Sequence, residues 1–124
     1  MKRILLEGWL LLLYFDCVMC LRDFRHLHKI VRGQKVRSAS TTSLTSEQLC
    51  HAIDLACVFY FKPVLCLQRS AATSVLLRRY GWRAEMVLGA QMVPFLSHAW
   101  VEVGGLVVND KPYIGEIFQV LERC

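Results

Sequence analysis

The chain has 124 residues, 55% of them hydrophobic, and 15 Lys and Arg against 10 Asp and Glu give a net charge of +5. That length fits one domain and leaves no room for two, while the apolar share supplies a full core and excludes a largely disordered chain. The basic excess is scattered from Lys2 to Arg83 without an aromatic-interleaved stripe, so it reads as solvated helix faces, Arg69 and Arg78 included, and nucleic acid is not an expected partner.

Residues 4–21 form an apolar run behind Lys2 and Arg3, which has the look of a signal peptide or a membrane anchor. Glu7 and Asp16 interrupt the run, and the uninterrupted part from Gly8 to Phe15 is far shorter than the ~20 residues a span needs. Continued further, Leu6, Leu10, Leu13, Cys17, Cys20, Phe24, Leu27 and Val31 follow steps of three and four, which predicts one N-terminal apolar helix over residues 1–32. Three roles stay open for it: facing the core or a partner, lying weakly on a membrane surface through residues 4–21, or serving as a true anchor or signal.

Residues 33–46 are a polar, Ser/Thr-rich loop, and 47–124 are expected to be the catalytic core. Thr45-Ser46-Glu47-Gln48 has the pattern of a capping box opening a helix that Lys62-Pro63 stops. Val64 to Tyr80 carries Leu67, Ala71, Val75 and Leu76 at helical spacing, with Gly81 as its cap. The pattern then changes. Ala84 to Leu88 reads as a strand, a loop with Pro94 follows, and His98 to Val103 alternates as a second strand. Gly104-Gly105 marks a hairpin into Leu106 to Asn109, and residues 115–123 read as a short closing helix. Helices first and an antiparallel sheet after them give an α+β fold with N-terminal helices packed on one face of a small sheet.

The six cysteines lie mostly in apolar or helix-like surroundings, unlike those of a loop-rich disulfide scaffold. They point to a reducing, cytoplasmic compartment, with most of them acting as small buried hydrophobes. Cys66 differs in position. It falls in the first turn of the helix after Pro63, where unpaired backbone amides favour negative charge and suit an oxyanion. A thiol attacks as its thiolate, which a neighbouring imidazolium stabilises. His98 begins a strand and Asp110 ends the strand returned by the hairpin, so the hairpin brings carboxylate and imidazole together as a base and its orienting acid require. Residue types alone leave open a structural Cys66 and a merely packed His98.

Cys66-Leu67-Gln68-Arg69-Ser70, followed by Leu76-Leu77-Arg78-Arg79-Tyr80-Gly81, resembles the nucleophile helix of the transglutaminase-like leader peptidases of lasso peptide biosynthesis, the peptidase half of the B protein. His98-Ala99-Trp100-Val101-Glu102-Val103-Gly104-Gly105 and Val108-Asn109-Asp110 resemble the His and Asp strands of that family. The resemblance covers roughly residues 49–110. It implies a transglutaminase-like, papain-like cysteine peptidase fold, with Cys66, His98 and Asp110 catalytic and no cofactor. It also implies an activity: removal of the leader from a ribosomally made precursor peptide, freeing an amine that a separate ATP-dependent macrolactam cyclase consumes. In that family a small recognition domain captures the leader. The segment before Cys66 reads as two helices and a loop, so the expectation is a standalone peptidase that needs a recognition protein in trans.

Gln68 is a weak candidate for a second oxyanion donor, and Trp100, two residues along the strand from His98, is a candidate support for the imidazole. Cys17, Cys20, His26 and His28 are metal-ligand residue types, but structural zinc sites draw their ligands from turns and hairpins, so no metal is expected. Two alternatives remain: another acyl transferase on the same scaffold, and a non-catalytic membrane-associated adaptor.

Overall fold

In the computed structural model, which describes residues 2–36, 45–92 and 95–124, two helices stand where the apolar stripe predicted one. Helix α1 (Lys2–Leu21) ends, and α2 (Phe24–Gly33) begins, around Asp23. Asp23 is extended (φ −104°, ψ 177°), and its carboxylate accepts the His26 amide at 3.1 Å. A carboxylate is among the best partners for the orphan amides of a first turn, and here it starts a new helix inside an unbroken apolar period. Residues 37–44 of the expected polar loop, and Pro94 of the expected loop between strands, lie outside the described residues.

Helix α3 (Ser46–Val58) opens on the expected capping box, with the Gln48 amide donating to Thr45 Oγ1 at 3.1 Å and the Thr45 amide to Gln48 Oε1 at 3.0 Å. Helix α4 (Cys66–Arg79) follows, and Gly81, at φ 90°, turns the chain into the sheet. Strands β1 (Ala84–Met92) and β2 (Phe95–Val103) pair antiparallel along their whole length. Gly104 and Gly105, at φ 60° and 82°, make the turn to β3 (Leu106–Val107), as the glycine pair predicted.

The end of the chain departs from expectation. A short helix α5 (Ile114–Ile117) gives way to a strand, β4 (Gln119–Arg123), where the sequence reads as helix to residue 123. The helix-forming Gln, Leu, Glu and Arg of this segment are overridden by the free edge of β1, with which β4 pairs antiparallel. The sheet order is β3-β2-β1-β4.

Helices α1, α3 and α4 pack on one another, and α4 lies against β1 and β2. Leu12, Phe15, Leu27, Leu49, Ile53, Leu76, Met86 and Val101 are fully buried between them. The opposite face of the sheet carries a smaller cluster of Val87, Trp100 and Ile114 with Val107 and Phe118 against it. Arg78, read as a solvated helix residue, is buried instead. Its guanidinium donates to the carbonyls of Val31, Gln34, Ala84 and Cys124, knotting the end of α2, the start of β1 and the end of β4. The cysteines also depart from expectation. All six are free thiols, yet Cys17, Cys20 and Cys66 are exposed and only Cys50 is buried.

Candidate active site

The stop at Pro63 leaves Leu65 as the residue before α4, in extended geometry (φ −77°, ψ 152°) and without a side-chain cap. Cys66 is therefore the first helical residue, and it is exposed. The first-turn amides beside it have no capping side chain to satisfy them.

On β2, Ala99 and Val101 face the helices, while His98 and Trp100 alternate to the other side, where Trp100 joins the smaller cluster. His98 Nε2 and Asp110 Oδ2 are 2.5 Å apart. Their meeting depends on more than the hairpin. Only Glu102 and Val103 of β2 pair with β3, after which the chain leaves the ladder and runs along the β2 edge. Asn109 holds it there. Its Oδ1 accepts the Val101 amide at 2.7 Å, and its Nδ2 donates to Ser70 Oγ at 3.2 Å. The Ser70 hydroxyl in turn donates to the Ala99 carbonyl at 3.0 Å. Asp110 follows directly on this anchored residue, within reach of the Arg69 charge on α4. Burial pushes its carboxyl up, but the hydrogen bonds from His98 and from the Lys111 amide, with the charges of His98 and Arg69, outweigh burial and hold it below the ordinary carboxylate range.

The His98 ring lies against two aromatic rings, Phe118 at 5.3 Å (interplanar angle 25°) and Trp100 at 6.1 Å (26°), which stand 6.3 Å from each other. Trp100 Nε1 donates to Glu102 Oε2 at 2.9 Å, and Arg123 Nη1 donates to Glu102 Oε1 at 2.6 Å. Burial raises the Glu102 carboxyl, but these two partners draw it below its usual value. Gly89 on β1 makes the close packing possible: a Cβ there would stand 2.7 Å from Trp100 and 2.9 Å from Phe118.

Cys66 and His98 border one cleft of about 380 Å³, whose walls include Phe24, Leu67, Leu88 and Leu121. Of the five sequence candidates, the structure sets Cys66 and His98 on the border of this cleft, Asp110 against His98, and Trp100 6.1 Å from the imidazole. It does not bring Gln68 there. Gln68 is buried on the α1 side of α4, and its amide nitrogen donates to the Leu12 carbonyl at 2.8 Å, so that donor is already used within the core. Nor do Cys17, Cys20, His26 and His28 converge: among the described residues, no three His, Cys, Asp or Glu side chains gather where they could hold a metal ion. Sequence reasoning missed Ser70, Asn109 and Phe118. The first two left only a faint trace, as polar residues at positions the apolar pattern would bury.

A family model of the transglutaminase-like superfamily matches residues 11–123. The chain belongs to the transglutaminase-like superfamily. A relative of this chain, the microcin J25-processing protein McjB of Escherichia coli, is 41% identical over 56 residues, which cover 45% of this chain and 27% of that protein. No solved structure matches significantly. The transglutaminase-like match and the McjB similarity agree with the resemblance drawn from the Cys66, His98 and Asp110 motifs. The α+β arrangement of helices on a small antiparallel sheet is the fold expected of that superfamily here.

Proposed function

We propose that this chain is a cysteine leader peptidase of lasso peptide biosynthesis, with Cys66 as nucleophile, His98 as general acid and base, and Asp110 as the carboxylate that orients His98. The observation that carries this reading is the His98–Asp110 pair at 2.5 Å, with His98 on the border of the cleft that Cys66 also lines. The similarity to a microcin-processing protein supports the substrate class, a ribosomally made precursor peptide.

With Nε2 engaged by Asp110, Nδ1 of His98 is the ring nitrogen left for the thiol. The Cys66 thiolate attacks the scissile carbonyl carbon, and the imidazolium gives its proton to the departing amine as the C–N bond breaks. The leader is then held as a thioester. Water, deprotonated by His98, attacks that carbonyl and breaks the C–S bond. The leader leaves as a carboxylic acid that gives its remaining proton to solvent, and the proton taken from water stays on His98 beside the restored thiolate. The core peptide keeps the freed amine, which a macrolactam cyclase would consume. A leader-recognition protein acting in trans presents the precursor.

The test incubates the chain with a matched precursor and recognition protein and reads the peptide masses. Cleavage is expected for wild type and absent for Cys66→Ala. Cleavage that survives Cys66→Ala removes the assigned nucleophile. An amide adduct with an added amine, in place of the free leader acid, would turn the assignment to acyl transfer.

A further inference from the structure

Helix α1 is apolar on both sides, and only one side is used by the core. Ile4, Leu11, Leu12, Phe15 and Val18 are buried against the rest of the fold. On the opposite face stand Leu6, Leu10, Tyr14, Cys17 and Leu21, at steps of four and three, all exposed, Leu21 to 82%. A helix facing water normally presents charged residues there. The two carboxylates of α1 do not interrupt the face. Glu7 is drawn to Arg79 at 3.1 Å and to the Tyr80 hydroxyl at 2.8 Å, while Asp16 is buried against Tyr60 at 2.6 Å and Lys62 at 2.9 Å. The exposed charges at its ends are cationic, with Arg3 at one end and Arg22 and Arg25 at the other. Asp23, between the last two, spends its carboxylate on the α2 cap.

We propose that this face docks the protein on an anionic lipid surface, with α1 lying in the headgroup region and the terminal arginines on lipid phosphates. An apolar strip bounded by arginines complements a bilayer rich in acidic headgroups. A second copy of the chain fits less well, because either orientation of two such faces sets arginine against arginine. The helix is long and apolar enough to cross a bilayer by length and composition. Crossing would strip Leu12 and Phe15 from the core, whereas lying flat leaves them in place. Phe24, the exposed first residue of α2, also borders the cleft of Cys66, so the docked protein opens that cleft beside the lipid. The proposal stands on the exposed face alone and is independent of the peptidase reading.

Flotation of the full chain with vesicles of phosphatidylcholine, with and without phosphatidylglycerol, tests it. Binding to the phosphatidylglycerol vesicles is expected, falling as salt is added and weak on phosphatidylcholine alone. The double variants Leu10→Gln/Leu21→Gln and Arg22→Glu/Arg25→Glu should each lower the bound fraction about tenfold or more, with unchanged circular dichroism. Two separate variants keep the test meaningful if one fails to fold. No binding to either vesicle, equal binding by a folded variant, or a dimer in free solution that Leu10→Gln/Leu21→Gln dissolves would each overturn the proposal.

Discussion

His98 Nε2 lies 2.5 Å from Asp110 Oδ2, while Asp110 Oδ1 accepts the Lys111 amide at 2.7 Å, so both carboxylate oxygens are committed and the imidazole has one orientation that keeps its partner. Asp110→Asn preserves the shape but removes the charge that steadies the imidazolium. Under the peptidase assignment it should lower kcat roughly 10²–10⁴-fold, with KM little changed. Initial rates of precursor cleavage measure this. A variant as fast as wild type would leave Asp110 without a catalytic part.

The same contacts set the acid limit of stability. Asp16 is held below the ordinary carboxylate range by hydrogen bonds from Tyr60 and Lys62. Asp110 and Glu102 are lowered too, their partners outweighing burial. A carboxyl whose folded pKa is depressed contributes stability above its unfolded pKa and loses it as pH falls through the folded value. The melting temperature should therefore hold steady from neutral pH down to about pH 5 and fall below about pH 4. Asp110→Asn should flatten part of that fall. A melting curve insensitive to acid would contradict the assigned contacts.

Thiol chemistry should separate the cysteines. Cys50 is buried and its thiol is pushed up to about 11, chiefly by burial, and burial raises Cys57 as well. Iodoacetamide at neutral pH should modify exposed Cys66, Cys17 and Cys20 and spare Cys50 in the folded chain. Saturating precursor with its recognition protein should then slow modification of Cys66 alone. Peptide mapping reads both outcomes, and equal protection of Cys17 and Cys20 would place the peptide elsewhere.

Phe118 is a positioning residue in this reading, since it stacks on His98 at 5.3 Å. Phe118→Leu removes the ring and keeps most of the apolar volume. A stack of this kind contributes about 0.5–1.5 kcal/mol, so the expected loss in kcat is about two- to tenfold. Phe118→Tyr should restore the rate and the pH profile. A loss confined to melting temperature would make Phe118 structural only.

Arg78→Met should be among the most destabilising single changes outside the site. It leaves the carbonyls of Val31, Gln34, Ala84 and Cys124 without their shared donor. Buried unsatisfied groups cost about 1–3 kcal/mol each, and water relieves the partly exposed ones, so about 3 kcal/mol and a melting temperature lower by roughly 10 °C are expected. Thermal denaturation measures this.

What the sequence carried best was local chemistry. Thr45 and Gln48 announced their cap, Pro63 placed Cys66 at the mouth of α4, and Gly104-Gly105 located the turn that returns Asp110 toward His98. These features depend on a few neighbouring residues, so a linear reading reaches them. Asp23 was missed because the apolar period continues through it to Phe24, Leu27 and Val31. Strand β4 was missed because its state is decided by the open edge of β1, far away in the chain. Gln68 was misplaced for a similar reason: it looked like a cleft residue by position, but the carbonyl that claims it belongs to Leu12.

That bond from Gln68 to Leu12 changes what may be cut away. The first turn of α4 hangs from the backbone of α1, and Lys62 and Tyr60, just upstream of Cys66, are tethered to Asp16 of the same helix. Segment 47–124 is thus fastened to the leading helix by side chains on both sides of the Pro63 stop. Deleting α1 would remove all three of these anchors at once from the stretch of chain that carries Cys66.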